Sequence, residues 1–192
     1  TFACGIENPR VSTKEFLAGQ FSLEASIIKS GERFSIIASS SRLLALDIDQ
    51  AISPTKLVEL LESFDLVIID TPTGVSRITT YFMAVANLIL LSSTTEILSL
   101  RGALNSKDYA ESAGYGGQLQ LLITKTTQEL DDEFKALIGD DFSLLEPTIR
   151  SSLQVSAAQS QAMSILTLDA KSGVAADYRE VTYSLLEKLE LI

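Results

Sequence analysis

The chain has 192 residues, of which 46% are apolar and 21% are charged, a balance that permits a sizeable core and excludes wholesale disorder. Lys and Arg number 15 against 25 Asp and Glu, and the resulting charge of −10 argues against nucleic acid as the main partner, because phosphate contacts need clustered cations. The absence of histidine and the single cysteine exclude imidazole bases, Ser-His-Asp triads, His-ligated metals and an intrachain disulfide.

The first third of the chain carries several local helix signals. Ser12 and Glu15 form a capping-box pattern, which predicts a short helix ending near Gly19. Pro54 suits the first turn of a second helix, since the amide proton that proline lacks would be unpaired there. The remaining elements expected in this part are a helix over residues 21–30 and a strand over residues 34–38.

Apolar runs and helical patterns alternate along the rest of the chain. Residues 66–69 (Leu-Val-Ile-Ile) and 88–91 (Leu-Ile-Leu-Leu) are typical of strands buried on both faces of a parallel sheet. Further strands are expected near residues 119–124 and 144–145, and helices near 76–86, 98–112, 130–138, 151–162 and 175–189. This order predicts one α/β domain over residues 1–192, a three-layer sandwich with a mostly parallel central sheet.

Asp70 directly follows the first of these aliphatic runs, and the turn over residues 71–74 comes next. A carboxylate at the carboxyl end of a buried parallel strand lies where α/β sheets bind ligands, and it suits Mg²⁺ near nucleotide phosphates. Gly74 would let the backbone approach a phosphate closely. The alternative is that Asp70 caps the turn and Gly74 only supplies a positive φ, and the spacing leaves both interpretations open.

Residues 64–74 (Phe-Asp-Leu-Val-Ile-Ile-Asp-Thr-Pro-Thr-Gly) resemble the Walker B strand and following switch of the MinD/ParA family of deviant P-loop ATPases. The likeness is closest to the MinD-like flagellar-number regulators. Other stretches resemble the family in the same order, namely residues 5–10 with 21–24, 34–46, 86–91 and 166–179. The resemblance implies a P-loop NTPase-like fold, ATP and Mg²⁺ as cofactors, Asp70 at the metal, and Thr71 and Gly74 beside the nucleotide.

On the base side, the resemblance implies contacts from Thr124, Lys125 and Pro147. Thr124 stands where the family usually has Asn, and a threonine hydroxyl can still donate and accept hydrogen bonds. Two family motifs do not occur in the 192 residues: the deviant Walker A loop, K-G-G-x-G-K-[ST], and the first switch. The glycines of residues 114–117 have no adjacent Lys-Ser and precede a predicted strand rather than a helix.

Without a phosphate cradle, these 192 residues are expected to show no saturable ATP binding and no ATP hydrolysis. We expect the Walker A unit upstream of Thr1, because removing a central strand would leave its neighbours with unpaired backbone groups. The protein would then be a nucleotide-driven switch that positions flagella, division sites, plasmids or pili. The alternative is a non-hydrolysing adaptor that binds proteins through the former switch surface.

The resemblance also implies a nucleotide-dependent homodimer and a protein partner. Direct binding to nucleic acid is not expected of so acidic a chain. Strong membrane attachment is not expected either, because Glu187 and Glu190 outnumber Lys188 on the polar face of the last helix. No apolar run is long enough to cross a bilayer and no secretory signal is visible, which favours the cytoplasm.

Four other features have both a functional and an ordinary interpretation. Arg77 and Arg101 could contact a partner or its phosphates, or could be surface residues. Cys4 is interpreted as a small buried residue rather than a reactive thiol. The acidic run over residues 129–133 is interpreted as the solvated start of a helix rather than a binding site for a partner.

Overall fold

The computed structural model describes residues 4–6, 9–32, 34–72, 74–139 and 141–192. The chain divides into two compact units, one formed by Thr1–Val85 with Ala158–Ser164 and the other by Ala86–Ala157 with Ile165–Ile192. Within the segments that resemble the ATPase family, Glu7, Asn8 and Thr73 lie outside the described residues.

The described part of the first unit contains short helices and a two-stranded antiparallel sheet. The helices are α1 (Thr13–Leu17), α2 (Leu23–Ser26), α3 (Pro54–Leu61) and α4 (Arg77–Met83), and the strands are β1 (Ile28–Lys29) and β2 (Ser35–Ile36). Two 3-10 turns cover Ser41–Ala45 and Ile48–Gln50.

The capping box at the start of α1 is confirmed. The Ser12 amide donates to a Glu15 carboxylate oxygen at 3.0 Å, and the Ser12 hydroxyl donates to the same oxygen at 2.5 Å. These hydrogen bonds lower the pKa of Glu15, with the Ser12 hydroxyl contributing most. The helix stops before Gly19, which has a φ of 68° as a helix-ending glycine should.

The helix expected over residues 21–30 is much shorter, because α2 covers only Leu23–Ser26. Its N-cap Ser22 accepts a hydrogen bond from the Ala25 amide, and Ile27 then leaves the helix with extended backbone. The β-branched pair Ile27 and Ile28 favours extended backbone, so the chain turns into β1 where helical spacing alone predicted a longer helix. The predicted strand at 34–38 is present in shorter form as β2.

Residues 66–69 do not form the predicted buried strand. Leu66, Val67 and Ile68 are 40%, 42% and 80% exposed, and no regular strand is assigned to them. A strand is stable only when neighbouring backbone accepts and donates its hydrogen bonds. Among the described residues no strand pairs with this segment, so its apolar side chains remain uncovered.

The second unit carries the parallel sheet. Its strands are β3 (Leu88–Ser93), β4 (Gln118–Thr126), β5 (Ser143–Leu144) and β6 (Ile149–Arg150). Its helices are α5 (Ile97–Ser112), α6 (Asp132–Gly139), α8 (Ile165–Leu168) and α9 (Gly173–Lys188), and α7 (Leu153–Ser160) also begins here.

Strand β4 is the centre of this sheet, with β3 along one edge and β5 and β6 following each other along the other edge. All three neighbours run parallel to it, and the β3 register extends from Leu88 opposite Gln118 to Ser93 opposite Ile123. Leu121 and Ile123 are fully buried among residues of α5 and α6. The predicted α/β class with a parallel sheet is therefore confirmed.

Strand β3 lies at the edge of the described sheet. Leu90 in its centre is 38% exposed, so the prediction that 88–91 would be buried on both faces holds only in part. In the described ranges, β4 is the neighbour that pairs with β3. The same ranges contain no helix with the length and apolar character needed to span a membrane.

Candidate functional site

The carboxyl ends of β3 and β4 bring a group of hydroxyls together in the second unit. The Thr124 hydroxyl donates to the main-chain carbonyl of Ser93 at 3.2 Å, which joins the last turns of the two strands. Thr124 also lies opposite Ile149 in the pairing of β4 with β6. Ligands of parallel sheets bind at this edge, and Thr124 lies there, but the ligand contact itself stays a prediction.

Lys125 has a strained backbone. Its φ is 56°, and the register of the β4–β6 pairing shifts between Thr124 and Thr126, so Lys125 forms a bulge. The left-handed conformation costs a residue with a side chain about 1 kcal/mol, and such strain is concentrated at functional sites. Lys125 is exposed, and among the described residues it takes part in no ion pair.

A second hydroxyl pair lies beside this bulge. The buried Thr126 hydroxyl donates to the carbonyl of Ile149 at 3.4 Å and lies 3.3 Å from the Thr148 hydroxyl. Pro147, half-buried and preceded by a cis peptide bond, comes immediately before Thr148. The predicted residues Thr124 and Lys125 thus lie on β4, and Pro147 lies two residues before its partner strand β6.

The sequence interpretation missed the ion pair that anchors this network. Arg150 donates to both carboxylate oxygens of Asp177 at 2.7 Å, and its main-chain amide donates to the same carboxylate at 3.0 Å. The guanidinium holds the pKa of Asp177 below its usual value. Asp177 is only 6% exposed, and it lies between Val174 and Val181 on the buried face of α9. A carboxylate at an apolar position of the helix was the signal that could have revealed it.

Asp70, Thr71 and Gly74 belong to the first unit and are all exposed. Gly74 has a φ of 87°, as the turn interpretation predicted. Asp70 makes no hydrogen bond or ion pair among the described residues, so no turn cap by this carboxylate is seen there. It does not follow a regular strand as predicted, because residues 66–69 lack a paired neighbour.

The remaining candidates have local roles. Arg77 donates to Asp49 at 2.6 Å at the start of α4, whereas Arg101 is an exposed residue of α5. Asp131 caps α6 by accepting from the Phe134 amide at 2.7 Å, as the solvated-helix interpretation of the acidic run predicted. Cys4 is half-buried and free.

The same end of the second unit exposes large aliphatic side chains where two helices begin. Ile97 and Leu98, in the first turn of α5, are 65% and 76% exposed, and Leu153, the first residue of α7, is 89% exposed. Single exposed aliphatic residues are ordinary, but a group at the ligand edge of a sheet marks a candidate contact surface.

Each unit by itself offers groups that suit one part of a nucleotide. In the second unit, partly exposed hydroxyls and a strained lysine can hydrogen-bond the edge of a base. In the first unit, the Asp70 carboxylate suits the water shell of Mg²⁺. No lysine-bearing glycine-rich loop occurs in the 192 residues, so they do not fit a triphosphate on their own. The described residues also contain no cluster of three or more metal-ligating side chains.

No model of a protein family matches the sequence. An uncharacterized ATP-binding protein of Methanocaldococcus jannaschii is 31% identical over 112 residues. The alignment covers 57% of this chain and 42% of the relative, so the chain spans less than half the length of the curated protein it matches.

Solved structures of MinD and ParA ATPases share the fold. MinD of Pyrococcus horikoshii complexed with Mg-ADP has a TM-score of 0.71 at 18% identity, covering 94% of this chain and 75% of that one. A chain of the MinC:MinD cell division protein complex from Aquifex aeolicus has a TM-score of 0.76 at 16% identity, with coverages of 97% and 77%. A ParA family ATPase of Chlorobium tepidum has a TM-score of 0.71 at 16% identity, with coverages of 93% and 76%.

Proposed function

We propose that this chain, which has the fold of the MinD and ParA ATPases, is the base-binding and switch portion of a nucleotide-driven positioning ATPase. The observation that carries the proposal is the strained Lys125 bulge beside Thr124 at the carboxyl end of β4. A left-handed conformation is unfavourable for a residue with a side chain, and strain of this kind is concentrated at functional sites.

In this proposal Thr124, Lys125 and Pro147 contact the base, Thr71 and Gly74 lie beside phosphates, and Asp70 binds the water shell of Mg²⁺. When bound, Mg²⁺ would neutralise part of the negative charge of the phosphates. The relative described as ATP-binding and the MinD structure holding Mg-ADP support ATP and Mg²⁺ as the ligands. The exposed Asp70 carboxylate, unpaired among the described residues, is available for such a role.

We propose that residues upstream of this chain supply a phosphate-binding loop together with one β-strand. The exposed centre of β3 supports this, since Leu90 is 38% exposed at a strand edge that no described residue pairs. The aliphatic segment 66–69 lacks a strand partner in the described residues as well. An apolar strand with open hydrogen-bonding groups is a template for another strand.

We also propose a protein partner and a nucleotide-dependent homodimer. The exposed Ile97, Leu98 and Leu153 supply apolar contact area at the ligand edge of the second unit. The MinC:MinD complex is a precedent for a protein partner on this fold. The net charge of −10 makes direct attachment to DNA or anionic membranes a poor alternative.

Isothermal calorimetry on two versions of the protein tests this function. The 192-residue chain should bind no ATP with or without Mg²⁺, whereas the complete protein as encoded by its gene should bind ATP with Mg²⁺ saturably. If neither version binds nucleotide, the non-hydrolysing adaptor becomes the better account. That adaptor is favoured by one observation, the lack of a phosphate cradle in these residues.

A further inference from the structure

We propose that a groove on the first unit is a docking site for a segment of a partner protein that carries a large apolar side chain beside a lysine or arginine. The groove lies between the 3-10 turn over Ile48–Gln50 and helix α4, and we call it the α4 groove. Its lining residues are Ile48, Arg77, Thr80, Tyr81 and Ala84. None of them takes part in the proposed nucleotide site, so the docking site is independent of nucleotide binding.

The shape and chemistry of the α4 groove favour an anchoring side chain over a free small molecule. Its volume is about 320 Å³, at the lower end for ligand sites, and its lining is almost wholly apolar. The groove opens widely to solvent, whereas a small-molecule site encloses most of its ligand's surface. An open apolar groove suits one side chain that a partner presents, because the surrounding contacts of the partner then exclude water.

The walls of the groove are held in place by hydrogen bonds within the first unit. On the α4 side, the Tyr81 hydroxyl donates to the carbonyl of Ile52 at 2.8 Å, and Tyr81 is only 6% exposed. On the opposite side, Asp47 caps the 3-10 turn by accepting from the Asp49 amide at 3.2 Å and from the Gln50 side chain at 3.0 Å. A preformed groove binds at a smaller entropic cost, because few side chains remain to be ordered.

The charges beside the groove indicate which partner segment fits. Arg77 donates to Asp49 at 2.6 Å, and this hydrogen bond, with the charges of Asp49 and Asp47, raises the pKa of the Arg77 guanidinium. Asp49 therefore balances the cation, and Asp47 leaves one negative charge in excess. A carboxylate has about four acceptor positions, so Asp47 can still bind a cation after accepting two hydrogen bonds. Because the whole chain carries −10, a basic segment is attracted and an acidic segment is repelled.

The test titrates the isotope-labelled complete protein with two acetylated tetrapeptide amides, Lys-Leu-Leu-Lys and Glu-Leu-Leu-Glu, and follows its backbone amides by NMR. The peptides share the apolar pair and differ only in the flanking charge. We expect the amide signals of Ile48, Thr80 and Ala84 to shift, with the basic peptide binding about fivefold more tightly, the scale of one or two exposed ion pairs. Added salt should shrink this preference, because Asp47 and Asp49 are exposed.

Ala84→Gln fills the groove with an uncharged side chain, and Ala45→Gln is the matched control at an exposed position outside the lining. Ala84→Gln should lower the affinity for the basic peptide about tenfold, as when an anchoring side chain loses its pocket, while Ala45→Gln leaves it unchanged. Melting temperatures verify that both variants fold.

Three results would overturn the docking site. The first is the absence of shifts at the groove with either peptide, and the second is equal affinity for both peptides. The third is unchanged binding by folded Ala84→Gln, because the basic peptide would then bind elsewhere on the protein. The first two are measured on the unaltered protein, so they decide the matter even if a variant fails to fold.

Discussion

The guanidinium of Arg150 and the carboxylate of Asp177 join the end of β6 to the first turns of α9 through two side-chain hydrogen bonds of 2.7 Å. The Arg150 amide donates to the same carboxylate, so Asp177 also satisfies main-chain hydrogen bonding beside the β4–β6 pairing. A Cβ at Gly173 would lie 2.6 Å from the guanidinium, so a side chain there would displace Arg150 from this position. The hydroxyl network of Thr126 and Thr148 is attached to this ion pair through β6.

The first prediction concerns Asp177→Asn. The substitution keeps the side-chain size and removes the charge, and we expect it to lower the free energy of unfolding by on the order of 1 kcal/mol. The estimate is at the low end for a charged hydrogen bond because the Arg150 side chain is largely exposed to solvent. Chemical denaturation at pH 7 measures the effect.

The pH dependence of this difference has a definite sign. The pKa of Asp177 is lower in the folded protein than its usual 3.8, so its stabilisation is complete well above that pH and is lost as the pH falls through the folded-state pKa. The difference in stability between the two proteins should therefore begin to shrink below about pH 4 and disappear below the folded-state pKa of Asp177. A difference that stays constant from pH 7 to pH 3 would show that the ion pair is not its cause.

The second prediction concerns the strained lysine. Lys125→Gly relieves a left-handed backbone conformation but adds unfolded-state entropy, so we expect stability to rise slightly, by on the order of 0.5 kcal/mol. Nucleotide affinity of the complete protein should fall at the same time, because a cation is lost. Lys125→Asn is the control, since Asn tolerates this backbone but lacks the charge. A loss of stability in Lys125→Gly would contradict the strain argument.

The helices and strands that could be predicted from sequence were those with local signals. The capping box of Ser12 and Glu15 and the apolar runs of β3 and β4 needed no knowledge of the rest of the chain. Residues 66–69 show the limit, because an aliphatic run specifies only that a strand is favourable, not that a partner is available.

The candidate site likewise combines features that the sequence predicts with features that only the fold produces. Thr124 and Lys125 were named through resemblance, but the left-handed bulge accompanies the β4–β6 pairing, and the direction of the Thr124 hydroxyl follows from the β3–β4 pairing. The Arg150–Asp177 pair joins residues 27 positions apart, and such separations are invisible to local patterns.

The third prediction concerns the uncovered segment 66–69. Ile68→Lys should leave the stability of the 192-residue chain almost unchanged, because this side chain is 80% exposed. Self-association measured by light scattering should decrease, since a charge on an uncovered apolar extended segment blocks strand pairing. Val58→Lys is the matched control on helix α3, and it should reduce association less. Equal effects of both substitutions would indicate general solubility rather than strand pairing.

The fourth prediction concerns the apolar contact surface. Leu153→Glu changes the most exposed of its three side chains, so the fold should be retained. Partner binding or ATP-dependent dimerisation of the complete protein should weaken, because a charge would be desolvated in the contact. Sedimentation velocity with and without ATP measures dimerisation, and a pull-down with a candidate partner measures partner binding. If neither dimerisation nor partner binding changed, Leu153 would not belong to the contact surface.

The account is tested most directly by sedimentation of the complete protein with ATP and Mg²⁺, comparing Asp70→Ala with the matched variant Asp65→Ala. Both carboxylates are exposed and lie five positions apart, so neither change should affect folding, which melting temperature verifies. We predict that Asp70→Ala abolishes the ATP-dependent dimer and Mg²⁺-dependent turnover, because the charge that binds the metal's water shell is lost, while Asp65→Ala retains both. An unchanged ATP-dependent dimer in Asp70→Ala would contradict the metal-site assignment and the switch mechanism that depends on it.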